Sequence, residues 1–417
     1  MIGFRLTTCS PPSVIMALAF RYSALPRLPS RTFPKGISYR RRWNSQVSRF
    51  TRDLLQRRPP LTFAFDIDGV LIRGQHVLPQ AKRALKFLDG GNELGIKIPY
   101  ILITNGGGTS ETIRCQRLSN LLGVENKIST NQYMQAHTIY KTVAHEYADK
   151  PVLVLGGRPG AIPRVAEEYG FRKAYSPLEI KNWNPSIWPF HDLTEEEKEF
   201  VNSRPGFDPT TRFAAIFVFH DPRNWAFDAQ ISLDIVCNHG YVLSAPMRPT
   251  TEAWSMQPEE PSSVKLYFCN PDLLWGSDYP TPRIGQGAFR VAFQSVYQSL
   301  MGKTYPYIQY GKPTKATYAF AEQLLRKRLE EVLQEGSSGK KGDVDGETDH
   351  TPNVYMVGDN PESDIAGANA KGWQSVLVKT GVYDPARGPP AHQPTHIADD
   401  VEQAVRWAIN REFSRIQ

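Results

Sequence analysis

The feature that most constrains the fold is an alternation of short apolar runs with segments of helical periodicity. Apolar side chains recur three and four residues apart at Ala81, Ala84, Leu85 and Leu88, which predicts a helix. The predicted strands before and after such helices are Phe63–Phe65, Tyr100–Thr104, Val152–Leu155, Val354–Val357 and Ser375–Val378. Strands that alternate with helices are typical of a parallel sheet with helices on both faces. We therefore predict an α/β fold with a doubly wound parallel sheet.

The middle of the chain repeats this pattern on a smaller scale. Phe213–Phe219 and Lys265–Cys269 are predicted strands, and Ala229–Asn238 is a predicted helix between them. The stretches 181–211 and 246–263 are rich in Pro, Trp and acidic residues and are predicted to be loops. A second, smaller α/β unit is thus expected inside the first.

The expected domain boundaries follow from these segments. Residues 1–50 form a separate leader, 51–130 and 301–417 form the two parts of the main unit, and 131–300 form the inserted unit. Within the last part, residues 336–352 are rich in Gly, Ser, Lys and Asp, which predicts a solvated surface insertion.

Positive charge is concentrated in the leader. The chain has 49 Lys and Arg against 42 Asp and Glu, and nine of those 49 basic residues lie in residues 1–50, which contain no acid. The other residues therefore have 40 basic and 42 acidic side chains, a balance that does not favour nucleic-acid binding. An Arg-rich, Ser-rich and acid-free leader is typical of a mitochondrial transit peptide, the alternative being a basic tail that binds a partner. No apolar stretch approaches the roughly 20 residues of a transmembrane helix.

Two carboxylates follow the first predicted strand directly. In the stretch FAFDIDGV the apolar run ends at Asp66 and Asp68, and the carboxyl ends of parallel strands face the ligand crevice. Two carboxylates at such an edge repel each other unless a cation lies near them, and Mg²⁺ suits an oxygen-rich site with few protein ligands. Asp66 could then act as a nucleophile and Asp68 as an acid and base. The alternative is a metal-free turn at a strand end.

Three further motifs follow in an order that supports catalysis. Thr104 and Asn105 end the second predicted strand, where a hydroxyl and a backbone N–H can bind phosphate oxygens. Lys312 precedes a predicted helix and could neutralise a phosphate. Asp359 and Asp364 follow another predicted strand. By contrast, Gly302-Lys303-Thr304 is no nucleotide-binding loop, because Tyr297 occupies the place of its first glycine.

These four motifs, in this order, resemble the haloacid dehalogenase (HAD) superfamily. The stretches FDIDGVLIRG, ILITNGGGTS, YGKP and GDNPESDIAGANAKGW are similar to its class IIA branch, and within it to the mitochondrial HAD-like hydrolases named after the cat-eye-syndrome critical region. The resemblance covers roughly residues 61–381. It implies a HAD-like core with an inserted class IIA domain, the cap.

The resemblance also implies roles for particular residues. Asp66 would be the nucleophile and a Mg²⁺ ligand, and Asp68 the general acid and base, with a backbone carbonyl on the metal. Thr104 and Asn105 would hold the phosphoryl group. The remaining implied roles are charge stabilisation by Lys312, metal ligation by Asp359, and support of the metal or of Lys312 by Asp364. An acid at position 68 argues against dehalogenation, because dehalogenases of this superfamily lack it.

The implied activity is hydrolysis of a small phosphate monoester through an aspartyl-phosphate. Asn270 in the cap is expected to contact that substrate, and a homodimer through the cap is a further expectation. Two other functions stay open at this point: a HAD-fold interaction protein without activity, and phosphoryl transfer to another acceptor. The expected compartment is the mitochondrion, with a link to glycerophospholipid metabolism.

Overall fold

Two parallel sheets dominate the part of the chain that a computed structural model describes. The described residues are 59–92, 95–124, 128–242, 264–277, 279, 281–335 and 352–415. The predicted transit segment 1–50, the predicted loop 246–263 and residues 336–351 of the predicted insertion lie outside these ranges.

The strands of the described residues are numbered in chain order. They are β1 (Leu61–Phe65), β2 (Ile72–Arg73), β3 (His76–Val77), β4 (Tyr100–Ile103), β5 (Tyr133–Met134), β6 (Val152–Leu155), β7 (Ala174–Tyr175), β8 (Ala215–Val218), β9 (Lys265–Phe268), β10 (Leu274–Trp275), β11 (Arg283–Ile284), β12 (Ile308–Gln309), β13 (Asn353–Gly358), β14 (Gln374–Val378) and β15 (His396–Ala398). All of the strands predicted from the sequence are present, with ends that differ from the prediction by at most two residues.

The helices of the described residues are labelled in the same way. They are α1 (Pro79–Leu88), α2 (Glu111–Leu122), α3 (Ala161–Glu168), α4 (Pro177–Trp183), α5 (Glu195–Asn202), α6 (Trp225–Cys237), α7 (Gln286–Met301), α8 (Lys315–Glu335), α9 (Ala366–Lys371) and α10 (Val401–Phe413), and one π-helical turn, Pro361–Ile365, precedes α9. In α1 the buried residues are Ala81, Ala84, Leu85 and Leu88, as the periodicity predicts.

The first sheet has six parallel strands in the order β15-β14-β13-β1-β4-β5. Its central strand β1 is buried along its whole length, which is why a mainly apolar run, interrupted only by Thr62, encodes it. The chain builds the sheet outwards from β1 in one direction with β4 and β5, and in the other with β13, β14 and β15. This confirms the predicted doubly wound α/β core.

The second sheet has five parallel strands in the order β12-β9-β8-β6-β7 and is inserted between β5 and α8. It is the smaller α/β unit expected from the sequence. The last strand of the first sheet before the insertion ends at Met134, and the last strand of the second sheet ends at Gln309. These strand ends lie near the predicted cap boundaries at 130 and 300, which stay a prediction.

One predicted loop is wrong. The stretch 181–211 contains the end of α4 and the whole of α5. A capping box starts α5: Thr194 Oγ1 accepts a hydrogen bond from the Glu197 N–H, and Glu197 accepts one from the Thr194 N–H. Acidic side chains in this first turn also stabilise the helix dipole. The high acid content that suggested a loop is therefore the signature of a helix start.

Within the described residues, no helix combines the length and the apolar character that crossing a bilayer would need.

Candidate active site

Three neighbouring strands of the first sheet end in the polar residues that the sequence analysis selected. Asp66 follows β1, Thr104 follows β4 and Asp359 follows β13. Phe65 is paired with Leu102 on one side and with Val357 on the other, so the three strand ends lie at the same level. The strands that follow β1 in the chain are added first on its β4 side and later on its β13 side, so the strand order reverses between β1 and β13. Open α/β sheets bind ligands in the crevice at such a topological switch point.

A buried lysine joins two of the carboxylates. Lys312 Nζ lies 2.9 Å from Asp66 Oδ1 and 2.6 Å from Asp364 Oδ1, and it donates a hydrogen bond to the Ile103 carbonyl at 3.2 Å. Burial by itself would lower the pKa of Lys312, but the carboxylates of Asp364 and Asp66 outweigh it and hold this pKa well above its ordinary value. Lys312 is therefore a fixed positive charge beside Asp66.

Asp66, Asp359 and Asp364 form a buried cluster of acids. Oxygen atoms of the three carboxylates lie within 4.8 Å of one another. Burial raises the pKa of all three, that of Asp364 to about 6, and for Asp359 the charges of Asp66 and Asp364 raise it further. One lysine cannot balance three carboxylates, so the cluster fits a divalent cation with oxygen ligands.

Glycines let the chain close tightly around Asp359. A Cβ atom on Gly381 would lie 1.8 Å from Asp359 Oδ2, and one on Gly69, which has a φ of 84°, would lie 2.4 Å from it. The same oxygen accepts a hydrogen bond from the Val382 N–H at 2.6 Å. Larger residues at these two glycines would displace the carboxylate, so the orientation of Asp359 depends on them.

Asp68 differs from the buried acids in its surroundings. Its side chain is exposed, yet desolvation by the surrounding protein raises its pKa, against the opposing charges of Arg114 and Lys312. Thr104 Oγ1 accepts a hydrogen bond from the Gly106 N–H at 2.9 Å, which fixes the start of the loop after β4. A Cβ on Gly106 would lie 3.2 Å from Thr104 Oγ1 and 3.6 Å from Asp68 Oδ2. These two side chains therefore border the same small space.

Asn105 connects the core to the cap. Its side chain accepts a hydrogen bond from the Lys312 N–H at 2.8 Å and donates to the Lys312 carbonyl at 3.1 Å and to Asp272 Oδ2 at 3.0 Å. Asp272 belongs to the cap, and burial raises its pKa to about 6 although Asn105 and Lys312 oppose the shift. Asn105 thus fixes the backbone of Lys312 and, through Asp272, also links the cap to the core.

The predicted contact residue Asn270 makes local hydrogen bonds within the cap, and its contact with a substrate stays a prediction. Its Oδ1 accepts a hydrogen bond from the Asp272 N–H at 2.8 Å, and its own N–H donates to Gln286 Oε1 at 2.9 Å. The Asn270 side chain shapes the turn, while Asp272 reaches the core. Asp272 is not among the residues predicted from the sequence, and its position two residues beyond Asn270 in the motif Asn-Pro-Asp is the signal that could have identified it.

Comparisons with known proteins give a consistent result. A model described as haloacid dehalogenase-like hydrolase matches residues 63–172, and a HAD-hydrolase-like model matches residues 309–404. A mitochondrial hydrolase of Saccharomyces cerevisiae is 38% identical over 357 residues, which cover 84% of this chain and 96% of that protein. The chain belongs to the haloacid dehalogenase-like hydrolases.

Other relatives of this HAD-like hydrolase add detail. A cardiolipin synthase (CMP-forming) and mitochondrial hydrolase fusion protein of Schizosaccharomyces pombe is 36% identical over 379 residues, 90% of this chain but 58% of that protein. Among solved structures, a possible sugar phosphatase from Cytophaga hutchinsonii matches with a TM-score of 0.51 at 17% identity, over 84% of this chain and 96% of the other. A hypothetical protein from Pyrococcus horikoshii matches with a TM-score of 0.50 at 17% identity, over 84% and 99%. These two solved structures support the fold of the core and of the cap.

Proposed function

We propose that this hydrolase is a Mg²⁺-dependent phosphatase that cleaves a small phosphate monoester through an aspartyl-phosphate on Asp66. The observation that carries the proposal is the position of the Asp66 carboxylate, 2.9 Å from the buried Lys312 ammonium and inside the acidic cluster with Asp359 and Asp364. A carboxylate in this setting can approach a phosphoryl group whose negative charge Lys312 offsets.

The proposed reaction has two steps. In the first, an Asp66 oxygen attacks phosphorus, the bond from phosphorus to the ester oxygen breaks, and Asp68 gives its proton to the departing alcohol. In the second, Asp68 takes a proton from water, the water oxygen attacks phosphorus, and the bond to Asp66 breaks to release inorganic phosphate. We propose that Thr104 and Asn105 hold the phosphoryl oxygens during both steps.

The bound metal would supply positive charge that neutralises the phosphate and the carboxylates. The residues that would hold it are Asp66, Asp359 and the backbone carbonyl of Asp68. Asp364 is the partner of Lys312 at 2.6 Å, and we propose that it supports the metal site from that position. Mg²⁺ is the cation of choice because a site with few protein oxygens leaves room for waters and phosphate.

Removal of divalent cations is expected to abolish the hydrolysis of p-nitrophenyl phosphate, and added Mg²⁺ should restore it. The same addition should raise the melting temperature, since a ligand that binds the folded state at 100 times its Kd stabilises it by about 2.7 kcal/mol. The measurements are an assay and a thermal melt with chelator and with Mg²⁺. Full activity in excess chelator, or identical melts of the wild type and Asp359→Asn with Mg²⁺, would contradict the metal assignment.

We also propose that the protein acts in mitochondria, with the matrix as its compartment and residues 1–50 as its transit peptide. The support is the acid-free basic composition of that segment and the names of the two curated relatives. The name of the fission yeast fusion protein also supports a link to glycerophospholipid metabolism. A fusion of residues 1–50 to a fluorescent reporter is expected to enter mitochondria, and a diffuse cytosolic signal would argue against targeting.

The cap carries an apolar surface that we propose is covered by a second copy of this chain. Leu274, Trp275 and Ile284 of the β10–β11 hairpin are exposed, and so is Ile308 on β12, which lies at the edge of the second sheet. Edge strands that face solvent pair readily with another chain. Light scattering should show a dimer for the wild type and a monomer for Ile284→Asp; a monomeric wild type would refute this arrangement.

A further inference from the structure

The three consecutive glycines after Asn105, here called the glycine loop, are held by the segment that links β5 to the cap. The Gly106 carbonyl accepts a hydrogen bond from the Ala136 N–H at 3.0 Å, and the Gly108 N–H donates one to His137 Nε2 at 3.2 Å. A Cβ on the glycine between them would lie 2.8 Å from His137 Cδ2, so the imidazole packs directly on the loop. His137 therefore fixes the backbone that directly follows Asn105.

His137 also passes a hydrogen bond on to the cap. Its side chain is fully buried, and burial lowers its pKa to about 3, so the ring is neutral and carries one proton. Because Nε2 accepts the hydrogen bond from Gly108, this proton is on Nδ1, which lies 2.8 Å from the Tyr169 hydroxyl. The Tyr169 hydroxyl accepts this hydrogen bond and donates its own proton to Glu111 Oε1 at 2.5 Å. These groups form a directed chain of hydrogen bonds from the glycine loop to Glu111.

Glu111, the first residue of α2, ends this chain as a carboxylate. Its side chain also accepts a hydrogen bond from the Thr138 hydroxyl at 3.0 Å and lies 3.0 Å from Lys141 Nζ. Burial alone would raise the pKa of Glu111, but the hydrogen bond from Tyr169 and the charge of Lys141 outweigh it and lower this pKa. A charged acceptor strengthens the hydrogen bond that it receives, and linked hydrogen bonds polarise one another. The ionised Glu111 therefore stabilises the whole chain from Tyr169 to the glycine loop.

The chain joins three separate parts of the molecule. Glu111 and the glycine loop belong to the core, His137 belongs to the linking segment, and Tyr169 lies between α3 and β7 of the second sheet. A cap that moved away from the core would carry Tyr169 with it and break both hydrogen bonds of its hydroxyl. The glycine loop is therefore held most firmly when the cap lies on the core.

We propose that His137, Tyr169 and Glu111 are positioning residues for the phosphoryl site. Through the glycine loop they fix the backbone at Thr104 and Asn105, the two residues proposed to hold the phosphoryl oxygens. Their role rests on the proposed phosphatase function. A displacement of about 1 Å in an active site can cost about 10²-fold in rate. A loop that is loosened by one missing hydrogen bond would therefore slow the reaction without loss of the fold.

The test is Tyr169→Phe, which removes one hydroxyl from the middle of the chain and keeps the ring. For p-nitrophenyl phosphate, kcat/KM is expected to fall about 10- to 100-fold, the value of one hydrogen bond to a charged group. The inhibition constant of orthovanadate, a phosphate analogue without a leaving group, should rise by a similar factor because it occupies the same phosphoryl site. The Mg²⁺ concentration for half-maximal activity should stay at the wild-type value, since Asp66 and Asp359 lie outside the chain. A purely structural role would lower the melting temperature and the active fraction but leave the inhibition constant unchanged.

A second variant and a control separate positioning from folding. Glu111→Gln should reproduce the loss, and the double variant should be no worse than either single one, because both changes break the same chain. The control is Tyr147→Phe, whose lost hydroxyl lies 2.9 Å from the Tyr267 hydroxyl, buried within the cap. This control should lower the melting temperature about as much as Tyr169→Phe does, while kcat/KM and the inhibition constant of orthovanadate stay unchanged.

Three results would overturn the positioning role: wild-type kinetics for Tyr169→Phe, a loss of kcat with an unchanged inhibition constant, or losses that multiply in the double variant. If one single variant fails to fold, the other decides by the same two measurements. In each of these cases hydrolysis of p-nitrophenyl phosphate by the wild type with Mg²⁺ keeps the phosphatase proposal intact. A wild type that cleaves no phosphate ester would instead refute the phosphatase function, and the positioning role with it.

Discussion

Asp66→Asn is expected to abolish turnover of every phosphate ester, because the amide cannot attack phosphorus and no phosphoenzyme forms. The variant should still fold. Lys312 keeps its ion pair with Asp364 at 2.6 Å, and the change removes one of three carboxylates that repel one another. The melting temperature without metal is therefore expected to be no lower than that of the wild type. The measurements are steady-state kinetics, acid-quench detection of bound phosphate, and a thermal melt.

The matched control for this variant is Asp149→Asn. Asp149 is an exposed acid paired with Arg172 on the surface, and such pairs contribute little to stability. We expect wild-type activity from it. Near-normal turnover by Asp66→Asn would show that the nucleophile has been assigned to the wrong residue, whereas loss of activity together with loss of the folded state would point to a structural role for Asp66.

The sequence predicted the core of the fold well because its signals are local. A fully buried strand such as β1 needs a mainly apolar run, and the period of the apolar residues in α1 defines the buried face of that helix. The polar residues at the ends of β1, β4 and β13 could be grouped in advance, because parallel strands place their carboxyl ends at one edge of a sheet. The structure brings Asp66 and Asp359 together as that argument requires, and Lys312 and Asp364 join them from outside these strand ends.

The remaining features depend on contacts between distant parts of the chain. Asn105 and Asp272 are separated by 167 residues, and their hydrogen bond exists only because the cap packs on the core. The same holds for the ring of His220 on Gly108. Neither pair leaves a periodic pattern in the sequence. The helix α5 is different: its Thr194–Glu197 capping box was readable, and the acid-rich composition around it obscured the signal.

Asp68 offers a sharper test of the mechanism than Asp66, because the two proposed steps need it to different degrees. Its raised pKa favours the protonated form that the first step uses. Nitrophenolate is a good leaving group and needs little help from an acid. The second step still requires a base to activate water. Asp68→Asn should therefore form the aspartyl-phosphate from p-nitrophenyl phosphate and then release phosphate slowly.

Asp68→Asn is expected to give a burst of nitrophenolate, followed by a steady-state rate about 10²- to 10⁴-fold below that of the wild type. This factor is the usual contribution of general acid–base catalysis. With an alkyl phosphate the burst should disappear, because an alkoxide leaves poorly without a proton and the first step becomes limiting. Rapid-quench kinetics of the variant with both esters would measure this difference. Full steady-state activity without a burst would remove Asp68 from the proposed acid–base role, while a burst of the same size with both esters would limit its role to the second step.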